Sequence, residues 1–140
     1  MHDAATKIIA IGGCRDGNLR STMALGLAAR LSASGRTVVL VDCDPVATMM
    51  PLWAGVESRI ATPAQSTSLD KLIEPSATPG LSVLTLAHAK TPAWFSNFPD
   101  TKDLFEKISN LNADHIILVL PTAIDPMSAS FFFLSDIPVL

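Results

Sequence analysis

The sequence predicts an α/β domain, an open and mostly parallel sheet with helices on both of its faces. Three observations carry this. Short apolar, β-branched runs recur along the chain, and segments with helical spacing separate them, which is the alternation that builds parallel sheets. Those runs are apolar at nearly every position, as strands buried on two faces must be. The 140 residues are 49% apolar and only 16% charged, against roughly 25% charged in an ordinary soluble domain. This length and composition give residues 1–140 as one domain with a real core and exclude bulk disorder.

The elements follow in order. Lys7-Ile8-Ile9-Ala10-Ile11 is a buried strand closed by Gly12-Gly13. A polar loop runs from Gly13 to Arg20, and Ser21 or Thr22 can cap the helix that follows. Met23, Leu27, Arg30 and Leu31 fall at helical spacing, with alanines between them, and Gly35 stands where a left-handed cap is expected. Thr37 to Val41 is a second strand, closed by Asp42-Cys43-Asp44-Pro45. These first 45 residues form a βαβ unit with a right-handed crossover.

Residues 46–66 show no strong period, and Ser68 to Ile73 can make one or two helical turns. Pro75, Pro79 and Gly80 interrupt the chain before a third strand, Leu81 to Leu86. Residues 88–99, with Trp94, Phe95 and Phe98, are expected to be a loop with apolar anchors. Thr101 to Leu111 is an amphipathic helix carrying Leu104, Phe105, Ile108 and Leu111 on one side. His115 to Leu120 is a fourth strand suited to the sheet centre, and Asp114 is expected to open it. A helix over Ser128 to Leu134 and a fifth strand from Ile137 to Leu140 complete the series, the last predicting an exposed sheet edge. Phe131, Phe132 and Phe133 cannot all face one side of a helix.

Composition also excludes functions. A net charge of −3 and a pI near 5.4 argue against nucleic-acid binding through bulk charge. No apolar run approaches the roughly 20 residues of a membrane span. Met1-His2-Asp3-Ala4 lacks the basic and apolar regions of a secretory signal, so a cytoplasmic setting is expected. Cys14 and Cys43 make no disulfide framework or zinc pattern and are expected to be small semi-buried thiols. His2, His88 and His115 have no ligand spacing, and Trp53 is expected in the core or on a partner surface. Gly13, Gly17 and Asp42 give a faint dinucleotide fingerprint that lacks its last glycine. The chain has no tyrosine, which excludes a short-chain dehydrogenase and a tyrosine autokinase with its terminal tyrosine cluster.

In open α/β sheets, ligands bind at the carboxyl ends of the strands. The loop Gly12 to Thr22 lies at such an end and runs into a helix N-terminus, where backbone N–H groups and the helix dipole favour phosphate. The plain alternative is a loop that only connects strand to helix.

The span Lys7 to Pro45 resembles the start of the MinD/ParA family of deviant Walker A ATPases. That family has a Lys-Gly-Gly-x-Gly-Lys-Ser/Thr loop, an alanine-rich helix, a Gly-Arg/Lys turn and a strand ending Val-Asp-x-Asp-Pro. The helix Met23–Ser34, the turn Gly35-Arg36 and Val41-Asp42-Cys43-Asp44-Pro45 match it. Leu111 to Pro121 resembles the family's Asp-x-Val-Ile-Ile-Asp-x-Pro strand, and Phe131 to Asp136 the segment after it. The resemblance implies a P-loop NTPase-like fold, of which this chain would be the N-terminal part, truncated relative to the family. It implies ATP or ADP with Mg²⁺ as the cofactor. Arg15, Gly17, Arg20, Ser21 and Thr22 would form the phosphate loop; Ser21, Asp42 and Asp44 would approach the metal; Asp44 would be catalytic in an active enzyme. A protein partner or homodimer is implied, in a bacterial positioning, secretion or envelope-polysaccharide system, with peripheral association to a membrane system.

The departures strike independent parts of that machine. Arg15 stands at the signature lysine, Asp16 at a glycine, Leu19 at the glycine before the P-loop lysine, and Arg20 at that lysine. A leucine is strained at the positive φ a glycine permits. Val119 stands where the Walker B aspartate would help to hold Mg²⁺. Phosphoryl transfer depends on positioning and metal electrostatics, so these losses imply a non-hydrolysing pseudo-ATPase that serves as an interaction or regulatory subunit. The alternative is an active ATPase with an unusual loop. For Asp42 and Asp44, helix capping or a solvated loop position stands beside the metal role.

Overall fold

Each β-branched run forms a strand because its side chains pack on both faces of one sheet. The computed structural model describes residues 5–13, 19–44, 50–56, 68–86, 101–122 and 126–140. Within them lie β1 (Lys7–Ile11), α1 (Arg20–Ala33), β2 (Val38–Asp42), α2 (Met50–Trp53), a 3₁₀ turn (Leu69–Leu72), β3 (Glu74–Pro75), β4 (Leu81–Thr85), α3 (Thr101–Ser109), β5 (His115–Val119), α4 (Pro126–Leu134) and β6 (Ile137–Val139). The strands make one sheet in the order β3-β4-β2-β5-β1-β6. Every pairing is parallel except that of β3 with β4.

Alternate residues of the strands supply two cores. Ile8, Ala10, Val39, Val41, Leu84, Ile116 and Leu118 pack with Leu104 and Ile108 of α3 and Phe131 of α4. Ile9, Ile11, Val38, Leu40, Val83, Ile117 and Val119 pack with Ala24 and Ala28 of α1 and Met50 of α2. Helices therefore cover both faces, and the fold class expected from the sequence is the one observed.

Helix α1 lies on the sheet through small residues. Its buried positions are Ala24, Ala28 and Ser32, and the Ser32 hydroxyl donates to the Ala28 carbonyl at 2.8 Å. Leu27 and Leu31 are only partly buried against this core, and Met23 is 53% exposed. The expected Met23-Leu27-Leu31 stripe is thus displaced by one residue toward the alanines, whose small size lets the helix approach the strands. Gly35 closes α1 at φ +86°, as its position predicted. The N-terminus differs from expectation: α1 begins at Arg20, its capping residue is Leu19, and no side chain caps it. Ser21 and Thr22 lie inside the first turn.

Two small elements had no sequence signal. The four residues of α2 fall in the stretch without a period, and β3 is two residues long, with Pro75 on an edge where a missing N–H is tolerated. Residues 88–99, with Trp94, lie outside the described residues, as do His2, Cys14, Arg15, Asp16, Gly17 and His88. At the other edge, Phe131 is fully buried and Phe133 is 82% exposed, with the rings of Phe105 and Phe131 at 5.6 Å. Strand β6 is the outer strand beside β1, and Ile137 and Leu140 are exposed there.

At the amino ends of the strands, Asp114 clasps β2 to β5. Its carboxylate accepts from the Thr37 N–H at 2.8 Å and from the Thr37 hydroxyl at 3.1 Å. These bonds hold its pKa below the ordinary carboxylate value. Asp114 thus opens the strand, on the side of the sheet away from the loop after β1.

Candidate functional site

The site follows from the register of the central strands. Ile11 pairs with Val119, and Val119 pairs with Asp42. The three residues form one row at the carboxyl ends of β1, β5 and β2. Alternation along each strand places the row on the α1 side, since Ile11 and Val119 belong to the core that holds Ala24 and Ala28. Helix α1 starts above this row, so its N-terminal turn lies at the strand ends.

Asp42 is 3% exposed. Its Oδ1 accepts the Asp44 N–H at 3.1 Å. Burial is the main cause that pushes its carboxyl up to about 7; the Asp44 N–H bond opposes this, and the Asp44 carboxylate adds to it. Asp44 itself is half-buried. Cys43, expected to be semi-buried, is instead fully buried in the opposite core, where it packs as a small apolar residue.

Arg20 is the first residue of α1, and its guanidinium Nη1 donates to the carbonyl of Leu120, one residue past β5, at 2.5 Å. Leu19 before it has φ 58° and ψ 16° and is 68% exposed. The strain anticipated for a leucine at a glycine position is therefore present in the backbone, and the Met23 N–H bond to the Leu19 carbonyl at 2.8 Å helps to fix it. Ser21 is half-buried and Thr22 exposed. The structure thus brings Arg20, Ser21, Asp42 and Asp44 to one end of the sheet, while Arg15 and Gly17 fall outside the described residues.

Sequence reasoning missed two participants. The Leu120 carbonyl is one, because a backbone acceptor carries no side-chain signature. The other is the packing on Gly12, whose N–H donates to the Val139 carbonyl at 2.9 Å. A Cβ at Gly12 would stand 3.5 Å from Leu140 Cδ2 and 3.6 Å from Phe132 Cδ2. Strand β6 and helix α4 therefore flank the start of the loop.

Mg²⁺ is ordinarily held by one or two carboxylates together with phosphate oxygens and waters. Among the described residues no three His, Cys, Asp or Glu side chains group to hold a metal ion. Val119, 3% exposed, presents methyl groups at the position where the resemblance implies the Walker B acid, and Mg²⁺ demands a near-octahedral oxygen shell. Asp42 is buried, half-protonated near neutrality, and already bonded to the Asp44 N–H.

Similar folds are found in solved structures. The septum site-determining protein MinD complexed with Mg-ADP, from Pyrococcus horikoshii OT3, matches with a TM-score of 0.75 and 22% identity, over 94% of this chain and 55% of that one. Cobyrinic acid a,c-diamide synthase from Mycobacterium smegmatis, with bound ADP and magnesium, matches at 0.75 and 17% identity, over 96% and 59%. The BceF tyrosine kinase domain matches at 0.68 and 19% identity, over 91% and 52%. At these identities the likeness is one of fold, and the chain spans between half and three-fifths of those chains. No curated protein matches the chain in sequence. Among the described residues no helix is long and apolar enough to cross a membrane. The family match covers residues 9–131, from β1 through α4, and by it the chain belongs to the CobQ/CobB/MinD/ParA nucleotide binding domain family.

Proposed function

We propose that this domain binds a nucleotide without hydrolysing it, and acts as an interaction or regulatory subunit. The observation that carries the reading is Val119. It occupies the position of the expected Walker B acid and is buried with Ile9, Ile11, Ala24 and Ala28, so the change is packed into the core rather than left as a gap. Phosphoryl transfer needs metal electrostatics at that point. Binding needs less. A helix N-terminus at the strand ends favours anions, Arg20 keeps a cation there, and the family is a nucleotide-binding one. In this reading Arg15, Gly17, Arg20, Ser21 and Thr22 border the phosphates. A protein partner or second copy, in a bacterial positioning, secretion or envelope-polysaccharide system of the cytoplasm, completes the reading.

The test is a calorimetric titration with ADP and ATP beside a phosphate-release assay. Binding heats with no release above the buffer rate are expected. Turnover that Asp44→Ala abolishes would instead establish the second reading, an active ATPase, for which the Asp42–Asp44 pair beside α1 speaks. No heat at millimolar nucleotide would refute binding.

A further inference from the structure

In P-loop NTPases the metal sits between the loop's Ser or Thr and the Walker B acid, so it also ties the helix N-terminus to the neighbouring strand. This chain has Val119 in place of the acid, and yet α1 and β5 are tied. The tie is Arg20, whose guanidinium donates to the Leu120 carbonyl across 100 residues of sequence. The bond is partly buried and charge-assisted, and such bonds are roughly twice as strong as neutral ones. It joins the first residue of α1 to the residue directly after Val119. A guanidinium carries five N–H donors in a fixed fork. An ammonium on a shorter stem offers neither that reach nor that geometry.

The backbone beside Arg20 shows what the tie holds. Leu19 keeps a left-handed conformation at φ 58° without being glycine, and such a conformation persists only where its surroundings over-determine it. The Met23 N–H bond to the Leu19 carbonyl holds it from one side, and Arg20 anchors the next residue from the other.

We propose that Arg20 is a brace that takes over the mechanical role of the metal, so that nucleotide binding at the α1 N-terminus does not require Mg²⁺. This rests on the nucleotide-binding reading above. Arg20 is here a positioning residue, acting through the first turn of α1.

The experiment is an ADP titration in excess Mg²⁺ and in EDTA, on the wild type, Arg20→Lys and Arg20→Gln, with amide hydrogen exchange followed at Met23 without nucleotide. The wild type is expected to bind ADP equally, within about twofold, in both buffers. Both variants should exchange the Met23 amide faster and lose at least tenfold in ADP affinity. A wild-type affinity that falls more than tenfold in EDTA overturns the proposal. So does an unchanged affinity in Arg20→Lys, which would make Arg20 a plain phosphate cation. If the wild type binds no ADP in either buffer, the nucleotide-binding reading fails, and the brace is judged by exchange alone. Faster exchange in both variants then supports it, and unchanged exchange refutes it.

Discussion

Asp42→Asn should make the protein more stable as the pH rises. Asp42 is buried at 3% exposure, and its carboxyl is pushed from 3.8 up to about 7. The sign follows from proton counting. Below about pH 4 both folded and unfolded chains hold the proton, and the residue contributes no pH dependence. Between there and 7 the folded chain keeps a proton that the unfolded chain has released, so stability falls as pH rises. Above 7 the folded chain must hold a buried carboxylate. The full difference corresponds to about 4 kcal/mol, and entry of water beside Asp42 brings the measured figure below that. This is a large part of the roughly 5–15 kcal/mol that holds a domain together. Asparagine keeps the Oδ1 acceptor for the Asp44 N–H and removes the ionisation. Urea melts of both proteins from pH 4 to 8.5 should coincide at the acid end and diverge upward, with Asp42→Asn the more stable by a few kcal/mol at pH 8. Asp114 titrates in both proteins and cancels from the comparison. A difference that stays flat across this range would refute the buried-acid account.

Three further outcomes follow from single positions. Leu19→Gly should raise the urea midpoint by about 1 kcal/mol equivalent, since it relieves a left-handed leucine whose side chain is 68% exposed; a loss of stability would show that Leu19 is not strained. Phe131→Ala should cost about 3–5 kcal/mol in the same melts, and Phe133→Ala under about 0.5 kcal/mol; comparable losses would contradict the packing of α4. Asp114→Ala should lower the melting temperature at neutral pH and flatten its acid dependence, because the depressed carboxyl of Asp114 stabilises the fold above its unfolded pKa and loses that role as pH falls; an unaltered acid limb in thermal melts would show that the Thr37 clasp contributes nothing.

Much of the fold was legible because a two-sided buried strand leaves a one-dimensional trace. β1, β2 and β5 each appear as runs of apolar, mostly branched residues, β4 appears as an alternation, and Gly35 marks the end of α1 by its backbone freedom. The buried face of α1 was not legible. Large apolar residues carry a sequence stripe, but a helix packed closely on a sheet buries its small residues, here Ala24 and Ala28. The site was legible only as a set of residue types. Nothing along the chain says that Val119 is the register neighbour of both Ile11 and Asp42, and that neighbourhood is what makes Asp42 a buried acid. Nor does it say that Arg20 turns to a backbone carbonyl.

The electrostatics of the strand ends follow from that neighbourhood. A chain of net charge −3 looks ill suited to anions, and an acid at the end of β2 looks worse. Yet Asp42 is half-neutral near pH 7, chiefly because burial excludes water from it. Arg20 brings a guanidinium to this end of the sheet, and α1 adds the positive end of a 14-residue helix. The guanidinium and the helix dipole therefore oppose the Asp44 carboxylate at this end of the sheet, and the net charge of the chain does not decide whether an anion fits there. In the proposed reading, valine at the position of the Walker B acid supplies neither a metal oxygen nor the negative charge that a bound phosphate would otherwise meet. In that reading the same substitution would oppose hydrolysis and let an anion meet Arg20 and the helix dipole without Mg²⁺ between them, which ties the pseudo-ATPase reading to the Arg20 brace through one residue.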